Sequence, residues 1–147
     1  MKNQTIKYFA ILGLFFILAS ASVQAQTPNR LEVTVPFDFV AGKASLKAGI
    51  YSIRRTSGSA LLIRSADGKT TALINAPLTI GSRDFKSGER LVFNQYGDRY
   101  FLSQAWLTVD SGRQLFTSGA EARAARDYRL ANNKANPRRV EVAARSN

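Results

Sequence analysis

The sequence predicts an all-β domain: about seven short antiparallel strands in a sandwich or small barrel, with a short C-terminal helix and tail. Three observations predict it. Apolar and polar residues alternate over several short runs, which is the period of a half-buried strand. Turn dipeptides recur at the spacing of small β domains. The 147 residues are 45% hydrophobic and include no Cys, so a packed core must hold the fold without disulfides.

The β body is expected over residues 26–118, after a leader. Lys2 and Lys7 precede an apolar run, Tyr8 to Leu18, and then the small and polar stretch Ala19 to Ala25. A basic start, an apolar middle and a small-residue end describe a secretory signal peptide over 1–25. Cleavage before Gln26 is expected, with cleavage after Ala21 as the alternative. The apolar run falls short of the roughly 20 residues that span a bilayer, so no transmembrane span is expected after cleavage. An outer-membrane barrel needs about eight strands of 9–11 residues, and the runs here are mostly shorter.

The first strand is read at Leu31 to Val40. Leu31, Val33, Val35, Phe37 and Phe39 share one face. Pro36 cannot donate to a ladder, so this is an edge strand or a broken one. Ala41-Gly42-Lys43 turns the chain, and Leu46-Lys47-Ala48-Gly49 leads into a second strand at Ile50 to Arg55. Ser57-Gly58-Ser59 follows. A three-residue loop there pairs Ile53 with Ile63 and Tyr51 with Ser65, keeping one apolar face, whereas a two-residue loop puts Ile53 opposite Leu62.

Asp67-Gly68 is a two-residue type I′ hairpin signal. It pairs Ala66 with Lys69, Ile63 with Ala72 and Leu61 with Ile74. Gly81 to Glu89 is the longest interior loop. Gly97-Asp98 suits a type II′ turn in a hairpin from Arg90 to Trp106. That turn pairs Gln95 with Tyr100, Phe93 with Leu102 and Leu91 with Gln104, with Trp106 on the same face. The other face carries Val92, Asn94, Tyr96, Arg99, Phe101 and Ser103, so the sheet is expected to be covered on both sides. Ser111-Gly112 is read as a turn and Arg113 to Thr117 as a short returning strand. The expected core is Val33, Val35, Phe37, Phe39, Tyr51, Ile53, Leu61, Ile63, Ile74, Phe93, Leu102 and Trp106.

Ser118-Gly119-Ala120-Glu121 is a capping box, and the following residues to Ala131 are rich in Ala and Arg, both good helix formers. The apolar stripe is only Ala120, Ala124 and Tyr128, which predicts a surface helix over 119–131. Residues 132–147 read as a loose basic tail, in which Val140-Glu141-Val142 could add a brief edge strand.

Composition excludes several chemistries. With no His and no Cys, thiol catalysis, imidazole base chemistry and zinc–thiolate sites are impossible. No Gly-rich phosphate loop or calcium-loop spacing occurs. No cofactor and no metal are expected. The β region has seven Asp or Glu, so a carboxylate-dependent hydrolase is kept as a minor alternative.

The chain has 21 Lys plus Arg against 10 Asp plus Glu, a net +11. Removing Lys2 and Lys7 leaves 19 against 10, or +9. Such an excess is either a solvated surface or an attraction to an anionic envelope polymer or lipid headgroups; nucleic acid fits export less well. Candidate binding residues are Arg64, Arg83, Lys86, Arg90, Tyr96, Arg99 and Phe101. The leading expectation is an exported non-catalytic β module that binds another envelope or extracellular component, another exported protein included. The alternative is a small apolar-ligand carrier with a barrel-like cavity.

Three stretches carry a resemblance: Val35-Pro36-Phe37-Asp38-Phe39, Leu46 to Ile53, and Arg90-Leu91-Val92-Phe93 with Tyr96 to Ser103. Together they resemble small secreted β-rich proteins of soil bacteria, acidobacteria above all, which have no known function. The resemblance spans roughly residues 31 to 130. It implies export and a single β-rich domain, and brings no activity, cofactor or site residue. Leu46-x-x-Gly49-x-Tyr51 also looks like the Tyr-bearing corner of β-sandwich domains, with the Gly–Tyr spacing one residue shorter.

Overall fold

A computed structural model describes residues 30–81, 88–132 and 136–145. Residues 1–29, where the signal peptide is expected, and residues 82–87, with the candidate binding residues Arg83 and Lys86, lie outside the described residues. Over the described residues the fold is an all-β sandwich with one short helix. Its strands are β1 (Arg30–Val35), β2 (Phe39–Ala41), β3 (Ala44–Leu46), β4 (Gly49–Arg55), β5 (Ala60–Ser65), β6 (Thr71–Asn75), β7 (Leu78–Gly81), β8 (Arg90–Tyr96), β9 (Arg99–Trp106), β10 (Ser111–Gln114) and β11 (Arg138–Ala143). The helix α1 is Gly119–Asn132. One sheet has the order β1-β4-β5-β6. The other runs β11-β8-β9-β10-β7, with β2 beside β9 and β3 beside β2. The sheets do not close into a barrel.

Among the described residues eleven strands replace the expected seven, for identifiable reasons. The first run is broken at Pro36, so β1 stays in the four-stranded sheet while β2 crosses to the other and pairs parallel with β9. The C-terminal segment is not loose over 138–143. It pairs with β8 through six residues, from Arg138↔Gln95 to Ala143↔Arg90. Beyond it, Ala144 bridges Val33 and Arg145 N–H donates to Glu32 O at 2.8 Å. The tail thereby ties the edge of one sheet to the other.

Two hairpins have the registers that the buried faces demand. Tyr51↔Ser65 and Ile53↔Ile63 set the first, closed by Thr56 N–H to Ala60 O at 3.0 Å around Ser57-Gly58-Ser59. Leu61↔Ile74 and Ile63↔Ala72 set the second. The tight type I′ turn expected there is replaced by a wider loop. Gly68 N–H donates to Ser65 O at 2.9 Å, and the Ser65 hydroxyl, not its carbonyl, accepts Thr70 N–H at 2.9 Å. Ala66 and Lys69 therefore do not pair. Asp67 draws the loop open by accepting Lys69 N–H at 3.1 Å.

The third hairpin follows expectation near its turn, with Tyr96↔Arg99 and Phe93↔Leu102, and Gly97 at φ +64°. A bulge between Val92 and Phe93 then shifts the register by one, so Leu91 faces Ala105, not Gln104. A one-residue shift exchanges the faces. Ala105 and Leu107 enter the core, while Gln104 and Trp106 turn to the outer face. Trp106 is buried there without belonging to the core expected of it. The last turn is also displaced: Ser111 and Gly112 lie in β10, and Thr108 Oγ1 closes the preceding turn by accepting Ser111 N–H at 3.1 Å. Gly112 is a strand residue because Trp106 lies over it.

The core sits between the sheets and includes ten of the twelve expected residues, plus Leu31, Ala41, Leu46, Leu91 and Leu115 among others. Phe37 is packed against it but only half-buried. The Tyr51 hydroxyl donates to Lys47 O at 2.6 Å, so the corner bond forms despite the short spacing. Burial, ahead of the Asp38 and Asp67 charges, pushes that hydroxyl above its ordinary pKa and keeps it a donor.

A Cβ on Gly112 would come within 2.8 Å of the Trp106 ring and 3.2 Å of Ala105 O. Gly112→Ala is therefore expected to cost about 1–3 kcal/mol in urea unfolding, the range for overpacking. Combined with Trp106→Leu, the same substitution should cost much less; equal costs in both backgrounds would remove the ring as the cause.

Candidate functional site

Alternation that buries Leu31, Val33, Tyr51, Ile53, Leu61 and Ile63 turns their neighbours to the outside. The outer face of the four-stranded sheet thus carries Arg30 and Glu32 from β1, Ser52 and Arg54 from β4, and Leu62 and Arg64 from β5. Register brings them together: Arg30 lies directly opposite Arg54, and Ser52 lies between Glu32 and Arg64. A concavity of about 560 Å³ opens over this set and ends at the Ser65–Gly68 turn.

Its electrostatics are uneven. Arg30 Nη2 reaches Glu32 Oε1 at 3.2 Å. At the other end Asp67 accepts from the Ser65 hydroxyl and from Lys69 N–H. Both carboxylates at the groove are taken by neighbours. Among the described residues, Arg54 and Arg64 have no ion-pair partner. Like charges directly opposite on paired strands are destabilising, so the Arg30–Arg54 pair is held against a repulsion that a bound anion would relieve. The Arg64 guanidinium lies against the turn, where a Cβ on Gly68 (φ +72°) would meet its Nη2 at 3.1 Å.

The other sheet's outer face is closed over Tyr96 and Phe101. α1 starts where Ser118 Oγ accepts Glu121 N–H at 3.1 Å. The reciprocal half of the capping box is replaced: Glu121, only 4% exposed, turns inward and accepts from Asn94 Nδ2 at 2.8 Å. Ala124 is buried, and Tyr128 packs edge-on to Tyr96 at 6.0 Å. Burial first, then the Glu121 carboxylate, pushes the Tyr96 hydroxyl above its ordinary pKa.

The expected binding residues are therefore dispersed. Arg64 lies in the groove. Arg99 is exposed at the β8–β9 turn, 5.2 Å over Phe101, beside a smaller concavity of about 230 Å³ that also involves Asp38 and Lys47. Phe101 is 1% exposed on the face carrying Asn94, and the helix contacts preclude an open aromatic platform. Arg90 is 8% exposed. Its guanidinium stacks 4.5 Å from Trp106, its Nη1 donates to Gly88 O at 2.9 Å, and its Nε lies 3.3 Å from Glu141 of β11 without a hydrogen bond. Arg90 straps β11 to the sheet and is no surface contact. Arg30 and Arg54, absent from the expected set, complete the groove with Arg64. The Ile53–Ile63 register already placed Arg54 near Arg64; Arg30 depended on the long-range β1–β4 pairing.

Among the described residues no three carboxylates come together as a metal site, and no helix is long and apolar enough to cross a membrane. No family model matches the chain, and no curated protein or solved structure matches it.

Two outcomes check this geometry. Arg54→Gln relieves the facing charges, so the variant should unfold at the same denaturant concentration or slightly above it, by at most about 1 kcal/mol; a clear loss would mean that Arg54 has a stabilising partner. Asp67 is held below the ordinary carboxyl range by the Ser65 hydroxyl first and Lys69 N–H second. Its folded pKa lies below the unfolded one, so its contribution holds above the unfolded value and fades as pH falls through the folded one. The Lys69 amide shift should titrate with a midpoint below that of an unfolded Asp. A midpoint at or above it would contradict the two bonds.

Proposed function

We propose that the chain is an exported, non-catalytic β module that binds an anionic envelope component through the arginine groove of its four-stranded sheet. One observation carries this reading: three guanidinium groups from adjacent strands share one concavity, and two of them have no ion-pair partner among the described residues. Guanidinium forks suit phosphate, sulfate or carboxylate oxygens, which they can grip through two hydrogen bonds. The leader-like first 25 residues and the net positive charge agree with an envelope partner.

Binding is favoured over hydrolysis because Glu32 and Asp67 each serve a neighbour and are not paired across a cleft. It is favoured over apolar-ligand carriage because the large concavity lies outside the core and is lined by charge.

Heparin retention across a salt series tests the site against bulk charge. A triple Arg30→Gln, Arg54→Gln, Arg64→Gln variant should elute at clearly lower salt than wild type. The control Arg123→Gln, Arg126→Gln, Arg129→Gln on α1 removes the same charge and should shift much less. Equal shifts in the two triples would mean attraction without a site. Anionic liposomes and heparin run in parallel separate a lipid headgroup from a polymer.

A further inference from the structure

β6 (Thr71–Asn75) is the last strand of its sheet, and among the described residues it pairs on one side only. Its bonds to β5 fix which main-chain groups remain. Ser65 N–H donates to Thr70 O at 2.9 Å and Ala76 N–H to Ser59 O at 2.8 Å. Bonded pairs recur at every second residue of an antiparallel ladder. Residues 70, 72, 74 and 76 therefore face β5, and the N–H and C=O groups of Thr71, Leu73 and Asn75 face away.

This free edge has definite ends. Lys69 N–H is already taken by Asp67 at 3.1 Å, and Pro77 has no N–H to offer. Between them the usual devices that blunt an edge are missing: Thr71–Asn75 holds no charge, no Pro and no bulge. At its centre Leu73 is 68% exposed.

We propose that β6 is a self-pairing edge. Two copies of the chain join antiparallel about a twofold axis at Leu73, making one eight-stranded sheet from two four-stranded ones. The edge is self-complementary about that point. Leu73 meets the partner's Leu73, and Thr71 meets the partner's Asn75, polar against polar. On the inner face, small Ala72 meets the larger Ile74 of the partner subunit. Parity requires the axis to pass through a residue and not between two, and among such axes only the one at residue 73 pairs all three outward residues, 71, 73 and 75, among themselves. The axis stands perpendicular to the sheet, so both arginine grooves face the same side, where one polyanion could engage both. Three residue pairs make a small interface, so association is weak and depends on concentration.

The absence of any Cys from the chain gives a direct register test. Leu73→Cys, Thr71→Cys and Asn75→Cys are prepared separately, oxidised at high protein concentration and run on a non-reducing gel. Leu73→Cys alone should give a cross-linked dimer, since directly opposed strand residues lie within disulfide reach. Thr71→Cys and Asn75→Cys should each stay monomeric, and an equal mixture of the two should cross-link. In sedimentation velocity the wild type should move toward doubled mass as concentration rises. Leu73→Pro, which takes away an outward N–H and an exposed side chain at a position where an edge strand tolerates Pro, should remain monomeric and still melt cooperatively. Equal cross-linking by all three single variants, or a monomeric wild type at its highest soluble concentration, would overturn the proposal.

Discussion

The structure depends on the crossing at Pro36–Asp38, where the chain leaves one sheet for the other. Pro36 offers no N–H and ends β1, and the next residues carry Phe37 and Phe39 into the space between the sheets. Phe93 receives both rings edge-on, at 5.1 and 5.3 Å, while Tyr51 takes the edge of Phe39 at 5.4 Å. Tyr100 stacks on Phe37 at 3.8 Å. The cluster therefore joins β4 of one sheet to β8 and β9 of the other. Asp38, between the two rings, points outward and accepts from Ala48 N–H at 2.9 Å and from the Lys47 ammonium at 2.8 Å. Lys47 O in turn receives the Tyr51 hydroxyl. One short segment thus fixes both the apolar contact between sheets and the position of β4.

That crossing makes the two outer faces different. The larger sheet is closed by α1 through Glu121 and Tyr128, and by Arg90 lying over Trp106. The four-stranded sheet, locked from within by Phe39 and Tyr51, retains an outer face free to hold arginines opposite one another. A like-charged cross-strand pair weakens a sheet by a fraction of a kcal/mol to about 1 kcal/mol. A buried cluster of aromatic rings can carry that cost, since each such ring contributes several times as much.

Local features were legible in the sequence, and long-range ones were not. The Ser57–Ser59 loop was readable because only one register keeps Ile53 and Ile63 on a common face. Asp67-Gly68 gave the right register and the wrong turn, since Ser65 and Asp67 side chains compete for main-chain donors that a tight turn would use. The bulge at Val92/Phe93 has no residue signature: no Gly or Pro marks it, so unbroken alternation puts Trp106 on the wrong face. Gly112 in the middle of a strand reads as a turn until the indole above it is known. For the site, Arg64 was visible as a candidate and Arg54 followed from hairpin register. Arg30 depended on β1 pairing with β4, which two intervening strands of the other sheet make invisible to local rules.

The Pro36–Asp38 crossing couples the two sheets into one cooperative unit. Equilibrium urea unfolding of Phe39→Ala tests it most directly, followed by Trp106 fluorescence in one sheet and by far-UV circular dichroism over both. The predicted result is a single transition, coincident by both probes, with stability lowered by about 3–5 kcal/mol, as for a buried Phe truncated in a packed core. A loss below about 1 kcal/mol, or fluorescence and dichroism transitions that separate already in the wild type, would contradict it.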